Sequence, residues 1–462
     1  MGEILADAHR RPFKELAYLP VPTTMLARGT ALMRTSEGST LLLCSQTQVH
    51  VLMLDRAVPH RSRVQPLGIA GASGAPGIVG VDAARMAHTT LLALALSLHL
   101  DAEQPPPSHG QDGHAIVIAT VPPDAAGSDA SAWVDAETKP LGFAPLLVRW
   151  LRFAESPTLA VSDANSGRLH VYSVHAFTLA TTKLDDAESS SALGGLSVSL
   201  PSPVLSLAEW TCTRTGWSAH ALGCEDGTLE FVATAAPPAS AAGDAPAEPP
   251  RVTRQRIRVE RALNVTAFFA GGEHAAESVT RAPVLHLLVG SVLCGACVYA
   301  DVLSRGLHAP VRALHDEESV LCGAAWRSQP GAFFVGTWGR VLHCIRVECG
   351  SADSWRCATV WRTELPHAVF SVDQLDVTND GLDELLVRTL EGLHVLQEDL
   401  PGVCAELEVG LARLLVEAEE EQRTCAPNAQ PPALARRVDA MMEMLASLKA
   451  ARSQVATLND CD

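Results

Sequence analysis

Seven times along this 462-residue chain, a stretch of alternating apolar residues runs into a short turn of small, Gly or Asp residues, and a second alternating stretch follows. Six copies are compact: TLLLCSQTQVHVLML (40–54), TLAVSDANSGRLHVYSV (158–174), ALGCEDGTLEFVA (221–233), LHLLVGSVLCGACVYADVL (285–303), AFFVGTWGRVLHCIRV (332–347) and ELLVRTLEGLHVLQ (384–397). The seventh joins Leu91–Leu100 to Ala115–Val121 across a long Pro-rich connection. Period-two apolarity turns one face of each strand toward a core. Gly227, Gly339 and Gly392 give three of the turns the backbone freedom a tight hairpin needs. A lone hairpin is not stable in water. Repeated hairpins packed radially bury their faces on one another and leave only short edges. The fold expected is therefore all-β: a seven-bladed β-propeller over residues 25–400, with two packed β-sandwiches as the plainer alternative. The spacing is irregular, so the repeat is degenerate.

The flanks read differently. Residues 1–24 are expected to form an N-terminal extension. From 401 to 462 the pattern turns helical: Cys404, Leu407, Leu411, Leu414 and Ala418 recur at three-and-four spacing, as do Leu434, Val438, Met441, Leu445 and Leu448. Pro427, Pro431 and Pro432 separate the stripes and break the helix near 425–432. Such a tail either packs on its own chain or binds a partner. Four stretches rich in Pro, small or acidic residues read as surface loops: roughly 101–113, 122–138, 183–195 and 235–250.

Composition narrows the function classes. Apolar residues make up 47% of the chain, enough for a sizeable core. The formal net charge is −17, which opposes general nucleic-acid binding, because that requires a surface able to displace phosphate counterions. The start, MGEILADAHRRPF, lacks the apolar segment of a secretory signal, and Ala6 stands where a myristoylation signal needs Ser or Thr. The apolar run from Leu91 to Leu100 is too short for a bilayer, so no direct membrane insertion is expected. Twelve scattered Cys then read as reduced cytosolic thiols.

The C-terminal third resembles the kaptin family. The segment VWRTELPHAVFSVDQLDVTNDGLDELLVRTLEGLHVLQ (360–397) carries the pattern of that family's last blade. VYADVLSRGL (298–307), ESVLCG (318–323) and ALGCEDGTLEF (221–231) are also similar to it. Upstream of about residue 220 the likeness weakens. One departure stands out: GAAWRSQPGAFFVGTW (323–338) lacks the Asp-rich turn that relatives often carry in the blade before the last.

The resemblance implies a propeller paired with an FG-GAP-containing propeller partner within a KICSTOR-like complex. It implies indirect contact with the Rag GTPase-activating complex, peripheral recruitment of a cytoplasmic protein to the lysosomal membrane, and restraint of TORC1 signalling. It also implies actin as a second partner. A trafficking or coat-type scaffold and a propeller hydrolase are the other readings.

Candidate chemistry is sparse. Asp376, Thr378, Asp380 and Glu384, with Gly381 for the sharp turn, space oxygen ligands as a Ca²⁺ loop would. The same residues suit a structural turn in which carboxylates bond local N–H groups, and Thr378 is a weak ligand; no cofactor is otherwise expected. Cys294-Gly-Ala-Cys297 is a lone C-x-x-C without the second pair a structural zinc needs. Arg254, Arg256 and Arg258 alternate along RVTRQRIRVER (251–261), as an anion-binding row or a solvated outer strand would. No H-E-x-x-H, G-x-S-x-G or P-loop motif occurs, and the chain reads as a non-enzymatic scaffold.

Overall fold

The computed structural model describes residues 13–398 apart from 21–24, 36–37, 46–48, 54–61, 68–76, 87–88, 98–112, 122–135, 153, 155, 176–177, 213–214, 236–250, 260–261, 271–282, 316–317, 350–353 and 379–382. The helical tail expected over 401–462 lies outside them.

The alternating stretches become strands, and the strands form seven antiparallel four-stranded sheets. Blade 1 comprises β2 (Met25–Thr35), β3 (Gly38–Ser45), β4 (Val49–Met53) and β5 (Arg63–Leu67). Blade 2 comprises β6 (Gly77–Met86), β7 (Thr89–Ser97), β8 (His114–Val121) and β9 (Ala136–Leu141). Blade 3 holds β10 (Pro145–Leu151), β11 (Thr158–Asp163), β12 (Leu169–Val174) and β13 (Thr181–Lys183). Blade 4 holds β14 (Val204–Cys212), β15 (Trp217–Cys224), β16 (Thr228–Ala235) and β17 (Arg251–Arg258). Blade 5 is β18 (Val265–Ala270), β19 (Leu285–Ser291), β20 (Gly295–Tyr299) and β21 (Val311–Leu314). Blade 6 is β22 (Val320–Ala325), β23 (Ala332–Thr337), β24 (Val341–Cys349) and β25 (Trp355–Glu364).

Blade 7 departs from sequence order. It combines β26 (Val369–Leu375), β27 (Glu384–Thr389) and β28 (Gly392–Glu398) with β1 (Phe13–Pro20) from the other end of the chain. Residues 13–20, expected in an extension outside the propeller, are thus its closing strand, paired antiparallel with β28 from Phe13↔Glu398 to Pro20↔Gly392. The reason is physical. Without β1, the backbone groups along one edge of β28 would lack partners.

Each of the seven hairpins read from the sequence supplies the second and third strands of one blade. These central strands are covered on both sides, as in β19 and β23, where every residue is buried. The core is divided accordingly: each pair of neighbouring blades shares one apolar cluster. That between blades 6 and 7, for example, joins Phe334, Leu342 and Cys344 to Val369, Leu385 and Val387. The innermost strands ring a central channel. In blades 2, 3, 4, 6 and 7 the innermost strand carries a register shift near its start, as between Val320 and Cys322 and between Val369 and Ser371. Such bulges bend a strand and sharpen its twist.

Two loop expectations are corrected. Residues 183–195 include a short helix, α1 (Asp186–Ala192), started by a capping box: Asp185 accepts from the Glu188 N–H, and Glu188 accepts from the Asp185 N–H. Two orphan donors of the first turn are thereby satisfied. The stretch 122–138 ends inside β9. A second helical turn, α2 (Val302–Arg305), follows blade 5's third strand.

Candidate functional site

The turn joining β26 to β27 holds the acidic set. Glu384 is fully buried, and both of its oxygens accept hydrogen bonds from the same turn. Oε2 accepts from the Val377 N–H at 2.6 Å and the Thr378 N–H at 3.2 Å. Oε1 accepts from the Thr378 hydroxyl at 2.8 Å and from Gln397 Nε2 at 2.9 Å. The carboxylate is a peg that closes the turn and ties it to β28. Asp376 is described at the turn's start, whereas Asp380 and Gly381 fall outside the described residues. Thr378 donates both its N–H and its hydroxyl to Glu384, whose two oxygens are each taken up by two donors, which does not fit a pair of oxygens turned toward a cation. Among the described residues no three His, Cys, Asp or Glu side chains cluster as metal ligands.

The arginine row lies on β17, the outer strand of blade 4, but it is not a free cationic surface. Glu230 on β16 is fully buried and receives both guanidiniums. Arg254 reaches Oε1 through Nε (3.1 Å) and Nη2 (2.6 Å), and Arg256 reaches Oε2 through Nε (3.1 Å) and Nη2 (2.7 Å). Ser197, in the connection after α1, donates its N–H and hydroxyl to Glu230, and its hydroxyl oxygen accepts from both arginines. Burial works to raise the Glu230 pKa, but the two arginines outweigh it and hold the carboxyl below its ordinary value. Arg258 turns away, donating to the Asp226 carbonyl.

Cys294 sits in the β19–β20 turn and Cys297 on β20; both are half-buried and free of disulfides. Cys297 packs against the apolar cluster between blades 4 and 5.

The central channel has a volume of about 220 Å³ and is lined by the innermost strand of every blade. Its polar groups include Arg149, Ser206, Asn264 and Asp373, with no histidine among the described lining residues. The Ser206 hydroxyl donates to the Leu263 carbonyl, and the Asn264 amide donates to the carbonyls of Val320 and Leu321. These bonds fasten neighbouring blades; they do not arrange a nucleophile beside a base. Behind the channel wall, Arg388 on β27 is fully buried, with its guanidinium 5.7 Å from the Phe370 ring. Burial lowers its pKa to about 10 against the opposing pull of Asp373, and burial also raises the Asp373 pKa. Sequence reasoning missed this pair, because nothing in ELLVRTL distinguishes Arg388 from an exposed strand arginine.

The sequence profile described as "KICSTOR complex protein kaptin" matches residues 167–408, more than half of the chain. The chain belongs to the kaptin family. A curated kaptin-family relative, the KICSTOR complex protein kaptin of Mus musculus, is 30% identical over 164 residues, which cover 34% of this chain and 38% of that protein. The match thus spans about two fifths of the curated relative's length. Among solved structures, Chaetomium thermophilum Raptor superposes with a TM-score of 0.50 at 11% identity, covering 86% of this chain and 30% of that one. The WD40 domain of Toxoplasma gondii coronin gives a TM-score of 0.47 at 11% identity, covering 84% of each chain. At such identity the Raptor likeness shows the fold alone: this kaptin-family chain is a seven-bladed propeller. No helix among the described residues is long and apolar enough to cross a membrane.

Proposed function

We propose that this chain is a non-enzymatic scaffold subunit of a KICSTOR-like complex. Through that complex it helps recruit the Rag GTPase-activating complex to lysosomes and restrains TORC1 signalling when nutrients are scarce. The observation that carries this reading is the kaptin-family match over 167–408, which runs from blade 3 through blade 7. The channel supports the scaffold role, since Ser206 and Asn264 on its wall spend their donors on carbonyls that join neighbouring blades. An FG-GAP-containing propeller is the expected direct partner. The protein then works from the cytoplasm, reaching the membrane through its partners.

The test is affinity purification of the tagged full-length chain with quantitative mass spectrometry, in fed and amino-acid-starved cells. Recovery of FG-GAP and Rag-regulating subunits is expected, together with TORC1 substrate phosphorylation that persists in starvation once the chain is deleted. Consistent absence of those subunits rejects the reading.

A further inference from the structure

In a four-stranded antiparallel blade, the turn between the second and third strands lies on the same face as the connection into the next blade. On that face, blades 3 and 4 present polar turns, Ala164–Arg168 and Glu225–Gly227. Blades 5, 6 and 7 present Leu293, Trp338 and Leu390 at the equivalent turns. Leu293 is 60% exposed and Trp338 62%. Of the five large apolar side chains exposed among the described residues, these three and Tyr18 lie at this side of blades 5–7; the fifth, Val252, is on the outer strand of blade 4. Exposed aromatic and aliphatic groups gathered on consecutive blades are unlike the scattered apolar residues of an ordinary surface.

The platform is preformed. Ser319 accepts from the Trp338 N–H through its carbonyl and donates its hydroxyl to the Val292 carbonyl at 2.5 Å, which ties the blade 5 and blade 6 turns together. The Leu365 N–H donates to the Arg340 carbonyl and fixes the other side of the same turn. Trp338 meets Phe370 edge-on, with ring centroids 6.3 Å apart, and Phe370 lines the channel. The apolar surface therefore runs from the blade 6 turn to the channel mouth.

Charge selects the occupant. Glu318 and Glu391 border the platform and are paired with histidine rings, His343 at 2.9 Å and His367 at 3.1 Å; among the described residues neither forms an ion pair with Lys or Arg. Burial holds the His343 pKa below its ordinary value, despite the opposing pull of Glu318, so Glu318 faces a neutral ring near pH 7. Glu364 is paired with Arg340, Arg362 stands opposite His343 on the neighbouring strand, and the Arg388 guanidinium near Phe370 is fully buried. Glu225 continues the acidic border onto blade 4, beside Asp226, whose carboxylate is taken up by Ser202 and Thr228 with Arg258 alongside, within a chain of formal net charge −17.

We propose that the turn platform of blades 5–7, centred on Trp338, is a docking site for a peptide segment of a partner protein that combines apolar side chains with lysine or arginine. The apolar groups cover Leu293, Trp338 and Phe370, and the cations meet Glu318 and Glu391. Exposed aromatic anchors fixed by backbone bonds are the residues on which binding energy concentrates, and the acidic border sets the sign of the partner. The surface would accept such a segment whether or not the complex of the previous section forms, so either proposal can fail alone.

The probe is a random dodecapeptide phage library selected against the full-length chain. Enriched peptides are expected to pair aromatic or aliphatic residues with Lys or Arg. A synthetic copy is expected to lose at least tenfold in affinity on Trp338→Ser, to weaken on raising salt from 50 to 300 mM, and to be unaffected by Val252→Ser. Thermal melting of each variant checks that the fold is kept, and Leu293→Ser, on another blade, provides an independent arm. Three outcomes overturn the proposal: no enrichment, enriched peptides without cations, or binding indifferent to both Trp338→Ser and Leu293→Ser. Displacement of the bound peptide by a synthetic peptide of residues 433–452 would instead assign the platform to this chain's own C-terminal segment. Concentration-dependent dimerisation abolished by Trp338→Ser would assign it to a second copy.

Discussion

Glu230 shows how a single side chain can change the meaning of a sequence pattern. Arg254 and Arg256 look cationic in RVTRQRIRVER, yet they share one buried carboxylate 24 and 26 residues upstream. The alternation of the row was legible; its partner was not, because strand register brings Glu230 opposite Arg256 and no local spacing encodes that pairing. Replacing Glu230 with Gln leaves two guanidiniums and the Ser197 N–H facing a neutral amide. Breaking a buried pair by removing one partner costs about 3–5 kcal/mol, and the half-exposed arginines reduce this to about 2–3 kcal/mol. The pH dependence has a definite sign. The folded-state pKa of Glu230 lies below the ordinary glutamate value of 4.5, so its contribution is fully present above that pH and is lost as pH falls through the folded pKa. Urea melts of wild type and Glu230→Gln should therefore differ by about 2–3 kcal/mol at pH 7 and converge as pH drops below 4.5. A constant gap down to pH 3 would contradict the ionic account. The acidic set around Asp376 was legible to a similar depth. Its spacing could be read directly, but whether Glu384 faced a cation or the turn's own N–H groups depended on which way the carboxylate turned.

At the scale of the strand, the central hairpins were readable because burial on both faces selects apolar residues and tight turns select Gly and Asp. The inner and outer strands were not. An inner strand such as VLCGAA faces the channel with one side, while an outer strand such as WRCATVWRTE faces solvent with one side, and both patterns blur. What fixes the inner strand is close approach by the next blade. A Cβ built on Gly336 of β23 would lie 2.4 Å from Val369 Cγ1 and 2.6 Å from Cys322 Sγ. Val369 opens the inner strand of blade 7 beside the bulge, so Gly336 is the gap into which that strand packs. Gly290 of β19 has the same relation to Val320, with a Cβ contact of 2.7 Å. Overpacking a filled core costs about 1–3 kcal/mol. Gly336→Ala should therefore destabilise the protein by about 1–3 kcal/mol in chemical denaturation. Gly339→Ala, whose nearest neighbour would be Thr337 Oγ1 at 3.6 Å, should fall within about 0.5 kcal/mol of wild type. Equal effects at the two sites would remove the interblade explanation.

The ring as a whole depends on a strand that lies hundreds of residues from its partners. Alternation alone gave little reason to place FKELAYLP in blade 7, since its inward residues Ala17 and Leu19 are few and its remaining positions are mixed. Its role appears only in the closed ring. Ala17 and Leu19 pack with Leu41, Leu43 and Leu52 of blade 1, and Phe13 reaches the opposite way into blade 6, against Trp326, Phe334 and Trp361 at centroid distances of 5.7, 6.0 and 4.9 Å. β1 thus joins blades 6, 7 and 1 at once, and its hydrogen bonds cover the free edge of β28. Leu19 is buried, so Leu19→Ala should cost about 2–4 kcal/mol. Phe13 is half-buried and its loss should cost less, about 1–3 kcal/mol. The distinctive readout is local. Because closure is the weakest link of a ring, loosening β1 should raise hydrogen exchange first in β28 and then in β27, before the central strands of blades 3–5 respond. Exchange mass spectrometry of Leu19→Ala under native conditions checks this order. If protection fell evenly around all seven blades, the ring would be unfolding as one cooperative unit, and β1 would be one more strand and not the fastening.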